Sequence, residues 1–369
     1  MMQKVAFIGD PHFGRRAENA TIRKHVSEGQ KRWFLSLADD LRSRNISQIF
    51  ITGDIFDTRN SVNVEAMVNT KRLLAETLAE FQIDIVLGNH DMYFENSYDI
   101  TSIEMLEMIP NVTVHRNGIV KKSMFGYDFY IVPWVISPDL DKFSSFLKEI
   151  APNRSKNVLF GHFEMIGIDM EGGNLSTFGL SPNDFANSAK YIFSGHYHGQ
   201  SVQSIDGSEI QYFGSPYPLT FANSDSIHGY WTIDSDMKQE FIPNTISPTF
   251  KTIIDTDDID SFGDLSNSFI RLYMNNARTK EELFEVRTRL DAKNALLIVP
   301  IPYKDGSIET GKNASQRDAN VMLNMDAMAL AEMYLDINSD IIPTLKTEKD
   351  AKKAILDRIL EYNGKLGIN

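Results

Sequence analysis

The sequence predicts an α/β fold with a largely parallel sheet at its core. Short apolar runs alternate with longer segments in which apolar residues have helical spacing, and this alternation is typical of parallel strands joined by crossover helices. Three of these runs, at residues 5–8, 49–51 and 83–87, are each followed by a polar turn that contains glycine. Ligands of open α/β sheets bind just beyond the carboxyl ends of the strands, so these turns mark the expected functional site.

The remaining elements of the first domain are predicted from hydrophobic periodicity. Helical spacing predicts helices over residues 25–44, 64–80 and 140–150. Further apolar runs predict strands at residues 111–115, 129–132, 158–160, 191–193, 210–213 and 230–233. Trp134 follows one of these strands, and we expect it in the core rather than in contact with a ligand.

A change of pattern near residue 248 predicts a second, smaller domain. The first domain therefore spans residues 1–248, and residues 249–302 have the strand and helix pattern of a small α/β unit. Residues 303–315 are polar and contain two glycines, which indicates a linker. Residues 316–369 have helical periodicity and form a predicted helical tail.

The composition excludes several classes of protein. The chain of 369 residues contains no cysteine, which excludes disulfides, zinc–thiolate sites and thiol catalysis. No apolar run approaches the roughly 20 residues of a membrane helix, and Asp10 and Pro11 come too early for a signal peptide. We therefore expect a cytoplasmic location. The net charge of −13 argues against a nucleic-acid binder that uses its whole surface, but it is compatible with a local basic groove.

Polar side chains with metal-binding chemistry lie at the ends of several predicted strands. They are Asp10, His12, Asp54, Asn89, His90, His162, His196 and His198. Neutral imidazole, carboxylate and amide carbonyl groups suit Mn²⁺, iron or Zn²⁺ better than Cu(I). A carboxylate such as Asp54 can bridge two cations about 3.5–4 Å apart, and two such ions hold the attacking and leaving oxygens of a phosphoryl centre. The set therefore predicts a two-metal hydrolase site.

Basic residues follow the first of these strand ends. Arg15 and Arg16 come directly after the segment that contains Asp10 and His12. Two interpretations remain open: the arginines form a solvated face, or they contact a phosphate group near the site.

Five short motifs, in this order, resemble those of the calcineurin-like metallophosphoesterases. They are DPH at residues 10–12, GDIFD at 53–57, GNHD at 88–91, GH at 161–162 and GHYH at 195–198. Their spacing and the continuation YFGSPYPLTF are most similar to the SbcD-type DNA repair nucleases, and among these to the recombination endonuclease subunits of tailed phages. The resemblance is strong up to residue 250 and extends to the rest only in layout. It implies a two-sheet β-sandwich flanked by helices, with a small capping domain that binds DNA.

The resemblance also implies a role for each motif residue. One metal ion would be held by Asp10, His12, Asp54 and His198, and the other by Asp54, Asn89, His162 and His196. His90 corresponds to the catalytic histidine, which contacts the phosphate or protonates the leaving oxygen. Candidates for contact with DNA or phosphate are Arg15, Arg16, Asp57 and Ser215. Many relatives have histidine where this chain has Asp57, and a carboxylate cannot repeat a cationic contact.

The function implied by the resemblance is a Mn²⁺-dependent DNA exonuclease and endonuclease that acts on double-strand ends in break processing and recombination. The alternative is a metallophosphoesterase acting on small phosphodiesters or phosphoproteins, which the acidic net charge favours. A non-enzymatic scaffold is disfavoured because every motif ligand is present. If the chain is phage-encoded, the host cytoplasm is the expected location.

Two kinds of protein partner are implied as well. SbcD-like nucleases work with an SMC-like ATPase, and we expect the helices at residues 321–335 and 349–362 to bind it. The alternative is that these helices pair and pack on the capping domain. Family members also form homodimers, which here would use residues 64–80 and 92–108, unless this apolar material simply packs on the sheet.

Overall fold

The computed structural model of the chain describes residues 3–15, 20–168, 175–221, 226–275 and 279–303. The predicted tail, most of the predicted linker and Arg16 lie outside these residues. The chain divides into two compact units. The first runs to Lys251 and includes Asn267–Phe269, and the second contains Thr252–Ser266 and the described residues from Ile270 onward.

The described residues form fifteen β-strands and five α-helices. The strands are β1 (Lys4–Ile8), β2 (Gln48–Ile51), β3 (Gln82–Val86), β4 (Val112–His115), β5 (Val120–Met124), β6 (Tyr127–Val132), β7 (Asn157–Gly161), β8 (Tyr191–Ser194), β9 (Ser201–Ile205), β10 (Ser208–Tyr212), β11 (Gly229–Asp234), β12 (Gln239–Pro243), β13 (Thr249–Ile254), β14 (Ser268–Asn275) and β15 (Leu297–Tyr303). The helices are α1 (Ala20–Ser43), α2 (Val64–Arg72), α3 (Leu140–Ile150), α4 (Pro182–Ser188) and α5 (Lys280–Asp291).

The first unit contains two six-stranded sheets. In one, the strand order is β12-β11-β1-β2-β3-β4, and β1 to β4 run parallel. In the other, the order is β5-β6-β7-β8-β10-β9, and β6, β7, β8 and β10 run parallel. The largely parallel core predicted from the sequence is therefore confirmed, and it is divided between two sheets.

The two sheets pack face to face through aromatic side chains. Phe7 of β1 lies 5.0 Å from Phe50 of β2 and 5.4 Å from Phe160 of β7, measured between ring centroids. All three rings belong to one buried cluster that draws on both sheets. Because successive side chains of a strand point to opposite faces, the neighbours of Phe7 in sequence, Ala6 and Ile8, belong to a different cluster. This arrangement is the two-sheet sandwich that the resemblance implied.

Helices cover the outer faces of the sandwich. In α1, Phe34 and Leu37 are buried in the cluster that contains Ile8 of the first sheet. In α3, Phe143 and Leu147 are buried against residues of the second sheet. Each helix buries one apolar stripe on a sheet face and leaves its other side to solvent, as amphipathic helices do. Among the described residues, no helix has the length and apolarity required to cross a membrane.

The second unit has its own small sheet and core. Its strands lie in the order β13-β14-β15, and α5 begins with a capping box between Thr279 and Glu282. Ile253, Leu272 and Leu290 are fully buried in its apolar cluster. The division between the units falls after Lys251, inside β13, whereas the sequence predicts a boundary at residue 249.

Several elements differ from the sequence-based prediction. The helix predicted over residues 64–80 is α-helical only to Arg72 and continues as a π-helical turn over Leu73–Thr77. Its end is fixed by Asn111, whose side-chain amide donates to the carbonyls of Leu74, Leu78 and Phe81. The strands β5, β9 and β12 were not predicted. None of their residues is buried, and such solvent-facing strands lack the apolar runs of three or more residues that mark the buried strands.

Candidate metal centre at the strand ends

The predicted site residues come together where strands of both sheets end. Asp10 follows β1, Asp54 follows β2 and Asn89 follows β3, all in the first sheet. From the second sheet, His162 follows β7, and His196 and His198 follow β8. Parallel strands direct their carboxyl ends to the same edge, so five separate segments deliver their side chains to one place.

Backbone pairing beyond the strands holds the first two segments side by side. The His12 N–H donates to the Asp54 carbonyl at 3.0 Å, and the Phe13 N–H donates to the Ile55 carbonyl at 2.8 Å. His12, Asp54 and His196 all have positive φ, at 43°, 48° and 87°. Such values are costly for residues with a Cβ and persist where the surrounding structure enforces them, which is common at functional sites.

One glycine is required by close approach of two segments. A Cβ built on Gly88 would lie 2.2 Å from Asp54 Oδ1. The Asp54 carboxylate can therefore approach the end of β3 only because residue 88 has no side chain. The glycines of the motifs thus permit the contacts between strand ends rather than merely marking turns.

The first ligand group consists of Asp10, His12 and His198, whose donor atoms lie within 4.8 Å of one another. The Nε2 atoms of His12 and His198 are 3.0 Å apart. Burial lowers the pKa of His198 to about 4 and lowers the pKa of His12 as well, so both rings are neutral at pH 7. Neutral imidazole is the form that binds metals. Two neutral imidazoles, one buried and one partly buried, that converge beside a carboxylate fit a divalent cation.

The second ligand group contains Asp10, Asp54 and His162, again with donor atoms within 4.8 Å. Asn89 extends it, because its Oδ1 lies 2.9 Å from His162 Nε2 and 3.1 Å from His196 Nδ1. Asp10 occurs in both groups, and Asp54 also approaches His12, with Oδ2 at 3.6 Å from Nε2. The two groups are therefore contiguous, as a pair of closely spaced ions requires.

The charge balance of the second group also fits a bound cation. Burial lowers the pKa of His162, but the charges of Asp54 and Asp10 outweigh this effect and raise it to about 9. Burial raises the pKa of Asp10 to about 7. The metal-free cluster therefore retains protons to offset its carboxylates, and metal binding to such sites releases protons.

Neighbouring groups orient the donor atoms. Asp10 accepts hydrogen bonds from Thr52 Oγ1 at 2.6 Å and from the His196 N–H at 2.7 Å. His162 Nδ1 donates to the Thr52 carbonyl at 2.7 Å, which turns Nε2 toward Asp54 Oδ2 and Asn89 Oδ1. Thr52 was not predicted as a site residue, although it directly precedes the GDIFD motif at the end of a buried strand.

His90 differs from the other histidines in its environment. Its Nδ1 donates to the Asp57 carbonyl at 2.7 Å, and its N–H donates to Asp54 Oδ1 at 2.8 Å. Its ring packs at 87° against the ring of His12, with centroids 5.1 Å apart. The Nδ1 contact leaves Nε2 as the ring atom for chemistry, and His90 does not belong to either ligand group among the described residues.

Asp91 and Trp134 are two site residues that sequence reasoning missed. Asp91 is fully buried and accepts hydrogen bonds from the N–H groups of Ile55 and Gly88, both at 2.9 Å, so it ties two motif loops together. Trp134 was expected in the core. Its ring does pack on the core, but it also lies 5.2 Å from the ring of His196. Its position directly after the predicted strand at residues 129–132 was the available signal, but an indole is not a metal ligand.

The candidate phosphate contacts have different environments. Arg15 Nη1 lies 3.5 Å from Asp57 Oδ1, which in turn lies 3.7 Å from His12 Nδ1. Ser215 is buried, and its hydroxyl donates to the Tyr217 carbonyl at 3.0 Å, so it is not available to a phosphate group. Arg16 lies outside the described residues.

Comparison with known proteins identifies a matching family and several similar proteins. The family model described as calcineurin-like phosphoesterase matches residues 3–200. Exonuclease subunit 1 of Enterobacteria phage T4 is 28% identical over 351 residues, which is 92% of this chain and 94% of that protein. The DNA double-strand break repair protein Mre11 of Sulfurisphaera tokodaii is 25% identical over 231 residues, which cover 62% of this chain and only 56% of that protein. A dimetal phosphatase from Danio rerio aligns in structure with a TM-score of 0.40 and 13% identity, over 63% of this chain and 92% of the phosphatase.

Proposed function

Because the chain belongs to the calcineurin-like phosphoesterase family, we propose that it is a two-metal-dependent DNA nuclease with exonuclease activity on double-strand ends and endonuclease activity. The observation that carries this proposal is the convergence of carboxylate, imidazole and amide donors from five strand ends on two contiguous groups. The proposal that DNA is the substrate is supported by two relatives, one named an exonuclease subunit and the other a DNA double-strand break repair protein.

The proposed metal ligands form two sets that share Asp54, whereas the two groups described above share Asp10. One ion would be held by Asp10, His12, Asp54 and His198, and the other by Asp54, Asn89, His162 and His196. Asp54 is the proposed bridge, which agrees with the approach of its Oδ2 to His12 Nε2 at 3.6 Å and to His162 Nε2 at 3.4 Å. We propose Mn²⁺ for both ions because the donor set is rich in oxygen and imidazole and contains no thiolate.

In the proposed mechanism, side chains of this chain contact the phosphate, donate a proton and position the metal ligands. Bound divalent ions supply an activated water and offset the charge of the phosphate. His90 is held by the Asp57 carbonyl through Nδ1, so Nε2 can contact the phosphate or donate a proton to the leaving oxygen. Thr52 and the backbone of residue 196 hold the Asp10 carboxylate in place, so that little reorganisation is needed when substrate binds.

We assign DNA binding in part to the second unit. A catalytic domain of residues 1–248 and a capping domain of residues 249–302 were expected from the sequence, and the separate core of the second unit supports an independent role. The charge of −13 requires that DNA contacts be local rather than spread over the surface. The proposed cellular setting is break processing and recombination in the cytoplasm, which is the host cytoplasm if the gene belongs to a phage.

We further propose an SMC-like ATPase as partner of the C-terminal tail. The tail lies outside the described residues, so its helical periodicity and its methionines, which suit adaptable binding surfaces, support this assignment. The name of the T4 relative as a subunit also supports an assembly with a second chain. Deletion of residues 316–369 should leave metal binding intact and abolish copurification with the ATPase. Full copurification of the truncated chain would show that another surface binds the partner.

The proposed homodimer would use an apolar face of the first unit. We define this face by the large exposed apolar side chains between residues 64 and 108, namely Val64, Val68, Tyr93, Phe94, Ile100, Met105 and Met108. The alternative, that this stretch simply packs on the sheet, accounts for Ile103 and Leu106, which are buried in the core. It does not account for Met108, which is 85% exposed. Apolar patches of this kind mark interaction sites.

A substrate comparison tests the proposed function against the alternative. Purified protein with Mn²⁺ would be given end-labelled duplex DNA, bis(4-nitrophenyl) phosphate and a phosphoserine peptide in parallel. We expect nucleotide release from DNA with a kcat/KM well above that for the small diester. Efficient turnover of the diester or the peptide, with DNA left intact, would favour the alternative, which the acidic net charge supports.

A further inference from the structure

Arg15 and Asp57 are held next to each other by backbone pairing that continues past β1 and β2. Phe13 and Phe56 form an isolated parallel bridge, and the Asp57 N–H donates to the Phe13 carbonyl at 3.1 Å. Arg15 and Asp57 lie just beyond this bridge, one on each segment, with Nη1 and Oδ1 3.5 Å apart. The ion pair therefore depends on the same pairing that places His12 beside Asp54.

The pair lies at the rim of the metal centre. Asp57 Oδ1 is 3.7 Å from the buried Nδ1 of His12, and the Asp57 carbonyl accepts from His90 Nδ1. The side chain of Arg15 is 27% exposed, so the guanidinium is accessible to a bound molecule.

We propose that Arg15 contacts a phosphate of the DNA backbone at the rim of the metal centre, and that Asp57 is a positioning residue that anchors Arg15 there. This inference rests on the proposed nuclease function. A guanidinium has five N–H donors in a planar fork, so one edge can hold a carboxylate while another binds a phosphate. Asp57 therefore does not meet the phosphate itself, and its negative charge is offset by Arg15.

DNA binding and its salt dependence distinguish this role from a purely structural one. The background is His90→Ala, in which the catalytic group is absent and a labelled duplex can be followed by fluorescence anisotropy in Mn²⁺. In this background, Arg15→Gln should weaken binding about tenfold and reduce the slope of log K against log salt by about 0.9, the value for one lost phosphate contact. Arg15→Lys should give an intermediate affinity, because it retains the charge but not the planar fork.

Whether Asp57→Asn weakens or strengthens DNA binding decides the role of the carboxylate. If Asp57 anchors Arg15, Asp57→Asn weakens DNA binding. The double variant Asp57→Asn with Arg15→Gln should then bind DNA with the same affinity as Arg15→Gln alone. If Asp57 merely repels DNA, Asp57→Asn strengthens binding, which would overturn the proposal. Metal content measured by mass spectrometry should stay unchanged in Arg15→Gln, which separates loss of phosphate contact from loss of metal.

Arg59 provides a matched control. Its side chain is also 27% exposed and pairs with a carboxylate, Glu95, at 3.4 Å. Arg59→Gln should change neither the affinity nor the salt slope. If Arg59→Gln weakened DNA binding as much as Arg15→Gln, the inference would be overturned, since loss of any nearby positive charge would then have the same effect. Absence of DNA binding and cleavage by the wild-type chain would instead contradict the proposed function, so the two failures are distinguishable.

Discussion

The Nε2 atoms of His12 and His198 lie 3.0 Å apart, although His12 follows a strand of one sheet and His198 follows a strand of the other. The contact therefore joins the two layers of the sandwich at the edge where their strands end. The His12 ring is buried and the His198 ring is partly buried, and the Nδ1 of His12 has no hydrogen-bond partner among the described residues. Burial of an imidazole nitrogen without a partner costs free energy, and a bound divalent cation would be such a partner.

Removal of single ligands should reduce the metal content in steps. His198→Ala should lose one ion per chain, because it belongs to one proposed ligand set only, whereas Asp54→Ala should lose both, because Asp54 is the proposed bridge between the two sets. The measurement is Mn²⁺ bound per chain after equilibrium dialysis, by mass spectrometry. His25→Ala is the control, since His25 lies on α1 and pairs with Glu28. Two ions retained by Asp54→Ala would contradict the bridging role.

His90 should be required for cleavage but not for metal binding. His90→Ala removes a group that belongs to neither ligand group among the described residues, so the metal content should stay at the wild-type value. The rate of DNA cleavage should fall by about 10²–10⁴-fold, the usual contribution of a general acid. Both quantities would be measured on the same preparation. A loss of metal in His90→Ala would show that the division of roles between ligand and acid is wrong.

Much of the site could be predicted because its residues directly follow buried strands. An apolar run that stops at glycine identifies Asp54 and Asn89 without any knowledge of the fold, since parallel strands end at a common edge. Trp134 and Arg15 could not be assigned in this way. The first follows β6, two strands from β8 in the same sheet, but an indole is not a metal ligand, and the second reaches Asp57 through pairing beyond the strands.

The same distinction applies to the fold. Strands buried on both faces, such as β7, contain a continuous apolar run, here residues 158–160, and were predicted from it. The edge strand β5, with the sequence VKKSM, has no such run, and its place is set by pairing with β6. The end of α2 was missed because it depends on Asn111, a distant residue whose amide binds carbonyls beyond the helix.

A buried ion-pair cluster should make the stability of the first unit depend on pH. Asp84 on β3 accepts hydrogen bonds from three side chains, namely Lys122 Nζ at 2.5 Å, His115 Nε2 at 2.5 Å and Gln48 Nε2 at 2.8 Å. Burial raises the pKa of Asp84, but the hydrogen bonds from His115 and Lys122 outweigh it and the net shift is downward. Asp84→Asn should therefore lower the free energy of unfolding by about 1–3 kcal/mol at pH 7.

The sign of the pH dependence follows from the lowered pKa. Stabilisation by the Asp84 carboxylate is complete above the pKa of an unfolded aspartate, about 3.9, and is lost as the pH falls through the lower pKa of the folded chain. The difference between wild type and Asp84→Asn in urea denaturation should thus be constant near neutral pH and shrink below about pH 4. A difference that grows on acidification would contradict this assignment.

The exposed apolar face should control self-association. Replacement of Met105 and Met108 by glutamate places charges on this face without touching the buried Ile103 and Leu106, so the fold should be retained. Light scattering at micromolar concentration should report a dimer for wild type and a monomer for the double variant. Phe178→Glu is the control, because Phe178 is 72% exposed outside this face. A wild-type chain that is monomeric would contradict the proposed dimer.

Nucleotide release from an end-labelled duplex during titration of metal-free protein with Mn²⁺ tests the central claim most directly. The account predicts no release without metal, release that rises as Mn²⁺ fills the two ligand groups, and none from Asp54→Ala at any Mn²⁺ concentration tested. The wild-type titration should be run with and without the ATPase partner. Cleavage at the wild-type rate by Asp54→Ala, or no Mn²⁺-dependent release by wild type in either condition, would contradict it.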